Sequence, residues 1–463
     1  MTMQSFIFRH KSNGARIKDG RDIFRITNHD DGTQTVEADV DGENWSEILV
    51  DVIEGQSKPD PDPSPDPTPD PDPAPDPTPE PDPTPQPVPS PVEAFTVRNS
   101  SDLYGALDAA RAGQAIRVKP GSYGDFTFRR NVGDGFVTMN FDDGADFSKV
   151  TMSGARGLDF NGIKFSATGI WSNSSRLKLR NATNRSFTIC RQVSDVEVKH
   201  SKFTGSGKFH WETAGGAPCH GWKIHANLFQ MNDGAQRSFD FLEGQGVYDM
   251  EIVDNTFDDL WIKYNSGTSG SYAHVDFMQF YSNQGHEPRN ILLQGNVVRD
   301  DARTQQKAAL WIMTLNISGR DHKIRNNILM GMSPNGLFMS NDMAGTVVEG
   351  NLCLPSPGAV GVSSLGGNIV MHSTTSNHPT IRNNACGAIV DQTGRGAWDG
   401  GGNVTGVSLA DFDMTHGGAA ITDFVPKPGS RADVRQGWRD RLDGILNGTQ
   451  DFYAPDGKLQ PAA

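Results

Sequence analysis

Seven times between Val198 and Cys386 an apolar residue is followed three places later by Asn or Ser and, two places after that, by a second apolar residue. The sets are Val198/Ser201/Phe203, Ile224/Asn227/Phe229, Ile252/Asn255/Phe257, Leu293/Asn296/Val298, Ile324/Asn327/Leu329, Val348/Asn351/Cys353 and Ile381/Asn384/Cys386. They recur at intervals of 24 to 41 residues. At that spacing each set makes one turn of a coil whose equivalent residues stack on the next turn. The flanking apolar residues then face the coil interior. The Asn marks a corner between two strands, where it is expected to adopt the left-handed backbone it tolerates better than other non-Gly residues. On rungs about 4.8 Å apart the amides can bond to one another in a ladder. The expected fold is all-β, a right-handed parallel β-helix.

The rest of the chain fits this reading. Gly is abundant at 51 residues, hydrophobic content is 35%, and no apolar run reaches the length of a membrane span. Of the net charge of −14, Asp60, Asp62, Asp66, Asp70, Asp72, Asp76, Glu80 and Asp82 carry eight units, which leaves the remainder about −6. No basic surface suited to nucleic acid is expected. Residues 1–20 carry Arg9, His10, Lys11, Arg16 and Lys18 without an apolar core, so no export signal is recognised there. Cys353 and Cys386 share one column and read as small core residues rather than a bridge, while Cys190 and Cys219 lack metal-ligand spacing.

Pro occupies every odd position from Pro59 to Pro91. Such alternation excludes a hydrogen-bonded ladder and favours an extended polyproline II rod, roughly 100 Å at full reach. The expected division is a small β module over 1–57, the Pro/Asp-rich linker over 58–92, the β-helix over 93–430 and a C-terminal cap or tail over 431–463. In the first module, strands such as Ile23–Ile26 and Thr35–Val40 alternate with Asp-Gly turns at Asp19, Asp31 and Asp41. Its small core suggests that it docks onto something, and anchoring is its expected task. Downstream, Phe95–Val97 reads as a strand. A helix follows, with Ser101 as its cap, Leu103, Leu107 and Ala110 on one face and Gly113 as its stop. This helix is the expected lid on the open end of the coil.

The run Asp102-Leu103 through Ala109-Ala110, Gly113, Ile116, Val118, Pro120-Gly121 and Tyr123 resembles the opening of pectate-lyase-like β-helix proteins, above all the alginate lyase and chondroitinase B type. Phe424-Val-Pro-Lys-Pro-Gly-Ser430 resembles the phrase that closes many such domains. The resemblance spans roughly residues 95 to 460. It implies a groove along the coil axis that takes a long, acidic polysaccharide of bacterial or algal origin. It leaves the reaction open, because lyases, hydrolases, epimerases and noncatalytic spikes share this fold.

Aligning strands that precede the Asn corners puts Asp240-Phe-Leu-Glu243, Asp276-Phe-Met-Gln279, Trp311-Ile-Met-Thr314 and Leu337-Phe-Met-Ser340 in register. Asp240 then neighbours Asp276, and Glu243 neighbours Gln279. Carboxyl groups one rung apart can divide into one that keeps its proton and one that stays ionised. His274 leaves the same face of its strand as Asp276 and adds a base. A lyase needs cations and a base, for which Lys263, Tyr264, Arg237 and His274 are the candidates. Trp211, Trp222, Trp261, Tyr264, Tyr272, Tyr281 and Trp311 concentrate in the middle coils as possible sugar-stacking rings, with Trp222 expected to point inward. The expected catalytic set is His274, Asp276, Asp240, Glu243 and Lys263. The expected binding set is Gln279, Arg237, Tyr264, Tyr272, Trp261 and Trp311. No cofactor is expected; Ca²⁺ at the acidic stretches Asp254–Asp259 or Asp142-Asp143 is the weaker alternative, since neither has the spacing of a Ca²⁺ loop.

Three functions stay open at this point. One is a virion tailspike or fibre that binds and cleaves a surface polysaccharide, trimeric in many such proteins, with residues 1–57 docked on virion proteins. The others are a secreted lyase or hydrolase and a noncatalytic adhesin. All three place the protein on a virion or outside the cell.

Overall fold

The computed structural model describes four strands within residues 1–90 and residues 91–462 apart from 206–207, 214–215, 231–239, 259–275, 300–305, 308–312, 332–334, 358, 361–366, 373–376, 395–399 and 455. The chain divides into two compact units, Met1–Gln86 and Pro87–Ala463. In the first, Phe6–His10, Trp45–Val52, Gln34–Asp39 and Ile23–Asn28 pair in that order as an antiparallel sheet. Ile26 faces Val36 in the hairpin at one edge of this sheet.

The second unit is a right-handed parallel β-helix. Its first face is a sheet of 12 strands running from Val92–Val97 to Thr380–Arg382. The second face includes Leu228–Gln230, Thr256–Asp258 and Val297–Arg299, and the third includes Lys208–Glu212, Leu242–Gln245 and Met278–Tyr281. The predicted columns are all present. Val198, Ile224, Ile252, Leu293, Ile324, Val348 and Ile381 pair rung to rung on the first face. Phe203, Phe229, Phe257, Val298, Leu329 and Cys353 do so on the second, and Cys386 continues their file. Every member of the second file is at most 1% exposed. Phe203, Phe229 and Phe257 stack nearly parallel with centroids 4.7 and 4.8 Å apart. Burying such a ring contributes about 2 kcal/mol relative to exposure. All four cysteines are free and buried, and Trp222 points inward as expected.

The corner works differently from the expectation. The ladder asparagines are not the left-handed residues. That conformation belongs to the residue just before each of them: Ala226, Asp254, Gly295, Asn326, Gly350 and Asn383, with φ between 50° and 65°. This turn aims the Asn side chain along the coil axis, inside the corner. Asn227, Asn255, Asn296, Asn327, Asn351, Asn384 and Asn403 then form one ladder, each Nδ2 donating to the next Oδ1 at 2.8–3.1 Å. Each Oδ1 also accepts the preceding ladder residue's backbone N–H, and each Nδ2 donates to a carbonyl of the first face. The ladder therefore satisfies both side-chain and backbone groups that burial would otherwise orphan.

The helix at the open end spans Ser100–Ala109 and buries Leu103, Ala106 and Leu107. Its cap is Asn99 rather than Ser101, which lies inside the first turn; the Asn99 side chain accepts from the Asp102 N–H at 2.9 Å. The helix ends before Gly113, whose φ of 83° serves the turn into Gln114–Val118.

The C-terminal segment lies along the coil. Phe412, Phe424, Trp438, Leu442, Ile445 and Phe452 pack on Val297, Ile328, Met330, Leu352 and Leu354, the outward side chains of the second face. From the helix Gly437–Leu446, the buried Arg441 donates to the Gly295 carbonyl at 2.7 Å.

Candidate functional site

The first face turns exposed, paired charges outward, such as Lys178 with Glu197 and Lys223 with Glu251, and the second is covered as described; on the third face outward polar side chains are largely buried. Along Lys208–Glu212 the alternation is strict: Phe209 and Trp211 are fully buried, and His210 and Glu212 turn outward. The outward column continues in register as His210, Glu243, Gln279, Asn316 and Phe338.

Glu243 is the hub. Its Oε2 lies 2.9 Å from Lys208 Nζ and 2.7 Å from His210 Nδ1, and its Oε1 accepts the Tyr281 hydroxyl at 3.1 Å. Lys208 is 1% exposed and sits over the Phe187 ring, on which the His210 ring also stacks. His210 Nε2 is 3.3 Å from Glu212, which accepts from Arg191 at 2.7 Å. Burial alone would raise the Glu243 carboxyl; His210 and Lys208 outweigh it and hold the group at about 2. Burial next to this charge pushes the Tyr281 phenol up to about 12, so it remains a donor.

Asp240, immediately upstream on the same rung, has the opposite environment. It is 4% exposed, and its Oδ1 accepts the Asp276 N–H at 2.6 Å. Burial pushes its carboxyl up to about 7; the Asp276 bond opposes this and the Glu243 charge adds to it. Asp276, fully buried, accepts from Asn316 Nδ2 at 3.1 Å. At neutral pH the cluster thus holds one carboxyl that keeps much of its proton beside one that is fully ionised. Carboxyl groups driven apart in this way supply an acid and a base or nucleophile from one residue class.

Of the residues singled out in the sequence, Asp240, Asp276, Glu243 and Gln279 come together as neighbours on two rungs. His274, Lys263, Arg237, Tyr264, Tyr272, Trp261 and Trp311 lie outside the described residues. The shifts of Asp240 and Glu243, on one rung, run in opposite directions. The expected alignment fails one rung further on. Met278 pairs with Leu315 and Gln279 with Asn316, which pairs in turn with Phe338; against Gln279 the expected alignment sets Trp311–Thr314 two residues early and Leu337–Ser340 two residues late. Trp211 is a core residue, not a sugar platform.

Sequence reasoning missed Lys208, His210 and Glu212. The signal was the alternation of Lys-Phe-His-Trp-Glu, which places both aromatics inside and all three polar side chains outside. The acidic stretches considered for Ca²⁺ face cations instead. Asp142 pairs with Arg117 and Lys119, Asp143 with Lys164, Asp254 with Arg441, and Asp258 with the buried Arg299. Among the described residues no group of three or more acidic, His or Cys side chains is placed to hold a metal.

No protein-family model and no curated protein sequence matches the chain. Solved structures similar in shape include the surface adhesin PfbA of Streptococcus pneumoniae, with TM-score 0.45 and 12% identity over 67% of this chain and 95% of that one. A pectate lyase gives 0.31 and 13% over 74% and 88%. An alginate lyase from Paenibacillus sp. str. FPU-7 gives 0.31 and 12% over 64% and 98%. These likenesses are distant and decide nothing about chemistry. No helix among the described residues is long and apolar enough to cross a membrane.

Proposed function

We propose that the third face binds an extended polysaccharide along the coil axis and that Asp240 and Glu243 hydrolyse a glycosidic bond within it. The observation that carries this reading is the opposed state of the two carboxyl groups on one rung. Asp240 donates its proton to the leaving glycosidic oxygen. Glu243, ionised and held by Lys208, His210 and Tyr281, offsets the positive charge that develops at the anomeric carbon. Water supplies the new hydroxyl, and its proton returns to the carboxyl pair. Turnover then falls as pH rises through about 7, where Asp240 loses its proton, and falls again toward about 2, where Glu243 gains one.

The test is incubation with a panel of acidic and neutral polysaccharides, reading both reducing ends and the absorbance of unsaturated uronate. Reducing ends without that absorbance are expected from wild type and absent from Glu243→Gln. An unsaturated product shows a lyase, and binding without any product shows an adhesin; either outcome overturns the hydrolytic assignment.

The proline-rich segment and the antiparallel sheet before it support a further element of this proposal, a β-helix held away from a larger body such as a virion or cell surface. Imaging of particles decorated with antibody against residues 1–57 tests it. Label on free monomers only would count against it.

A further inference from the structure

Above Glu243 the outward column changes character. Gln279 and Asn316 present amides on the next two rungs, and the third rung presents Phe338. Its strand neighbours Leu337 and Met339 are buried in the core, which leaves Phe338 on the outer surface, half-buried. One rung further, the exposed His372 brings its ring to 5.1 Å from the Phe338 centroid, tilted by 30°. Phe338 registers on the next rung with the buried Val370, so its ring and the tilted His372 ring form an aromatic ledge where the polar column ends. Rungs are about 4.8 Å apart, so the ledge stands about 14 Å from Glu243 along the axis.

We propose that Phe338, with His372 beside it, is a distal subsite that stacks on the apolar face of a pyranose unit. The unit it takes lies about three sugar units from the bond that Asp240 and Glu243 attack. This rests on the proposed polysaccharide reading and adds to it a direction and a minimum chain length. Gln279 and Asn316 meet the hydroxyls of the intervening units, and Phe338 holds the unit beyond them. The site therefore distinguishes chains of four or more units from shorter ones. Phe338 is a binding residue here, with no part in bond cleavage.

The experiment is a chain-length series of oligosaccharides from whichever polysaccharide the protein binds, assayed with wild type, Phe338→Ala, Phe338→Trp and His372→Ala. Phe338→Ala is expected to raise KM about three- to tenfold for chains of four or more units. It leaves kcat, and all parameters for disaccharides, unchanged. Phe338→Trp restores the long-chain KM. Thermal unfolding of each variant confirms that the fold is intact, as expected for an outward side chain. Equal effects of Phe338→Ala on short and long chains, or none on either, overturn the subsite. Should wild type bind without turning over, the same series read by calorimetry separates the two proposals. A chain-length-dependent loss in Phe338→Ala then keeps the ledge while the hydrolytic reading fails.

Discussion

The corner between the first and second faces and the corner between the second and third are built by opposite rules. The first takes two residues at each of nine rungs, from Gly162-Ile163 to Asn383-Asn384. The second varies from one residue at Thr168 and two at Arg185-Ser186 to the stretches from Gln230 to Leu242, from Asp258 to Met278 and from Arg299 to Met313. Two residues leave room for one solution, a left-handed residue followed by one whose side chain turns inward. Asn therefore returns at the second position on six successive turns, from Asn227 to Asn384. The second corner, free to vary in length, is under no such constraint, and where it is long it delivers non-repeating side chains such as Asp240 to the edge of the third face. Stability is concentrated at one edge of the coil, and the chemistry proposed above at another.

The contrast breaks first on activity. Asp240→Asn or Glu243→Gln is expected to lower kcat by about 10² to 10⁴, whereas Asn255→Ala leaves the turnover of the folded fraction unchanged. An Asn255 variant as inactive as the Glu243 variant, while still folded, would erase the division of labour.

Stability should respond in the reverse order. The Asn255 side chain makes four hydrogen bonds within the buried ladder. Its removal to Ala orphans the partner groups and should cost on the order of 3 kcal/mol, read by denaturant unfolding. A cost no larger than that of an exposed substitution would show that the ladder is ornamental.

Asp240→Asn is predicted to stabilise the fold at pH 8 by on the order of 2 kcal/mol. The folded-state pKa of Asp240 is raised, so the folded chain holds a proton that the unfolded chain releases above about 4. The stability is present below the unfolded value and is lost as pH rises through about 7. An Asn escapes that loss, and its advantage disappears below about pH 4, where both states keep the proton. Glu243 has the opposite sign. Its depressed pKa contributes stability above the unfolded value of 4.5, lost as pH falls toward about 2. Unfolding curves across pH check both.

The smallest effect sharpens the tight corner. Ala226 holds a left-handed φ of 50°, so Ala226→Gly should gain about 1 kcal/mol. Gly295→Ala, at φ 65°, should lose stability, because its Cβ would run into Asp254 Oδ1.

The same contrast explains what was legible in the sequence. Val198 to Ile381 and Phe203 to Cys386 were readable as columns because each sits a constant distance from a two-residue corner. The left-handed position was misassigned because Asn326-Asn327 and Asn383-Asn384 put Asn at both corner positions, and only backbone geometry separates them. On the third face the count must cross corners of unequal length. The register held from Asp240–Glu243 to Asp276–Gln279 and then slipped by two at Trp311–Thr314, where parity still placed apolar residues inside and raised no alarm. Lys208 and His210 were missed because the repeat was indexed on the asparagine corners, and their strand sits across the coil from Ser201, the one corner of the seven without an Asn.

The central claim is that one rung of the third face carries a carboxyl that keeps its proton beside one that gives it up. Selective ¹³C labelling of aspartate and glutamate side chains, with a pH titration by NMR and assignment through Asp240→Asn and Glu243→Gln, reads it directly. The account predicts that the Asp240 resonance titrates near about 7 and that the Glu243 resonance stays ionised down to about 2. Two carboxyl groups that both titrate near 4, as unperturbed side chains do, would contradict it.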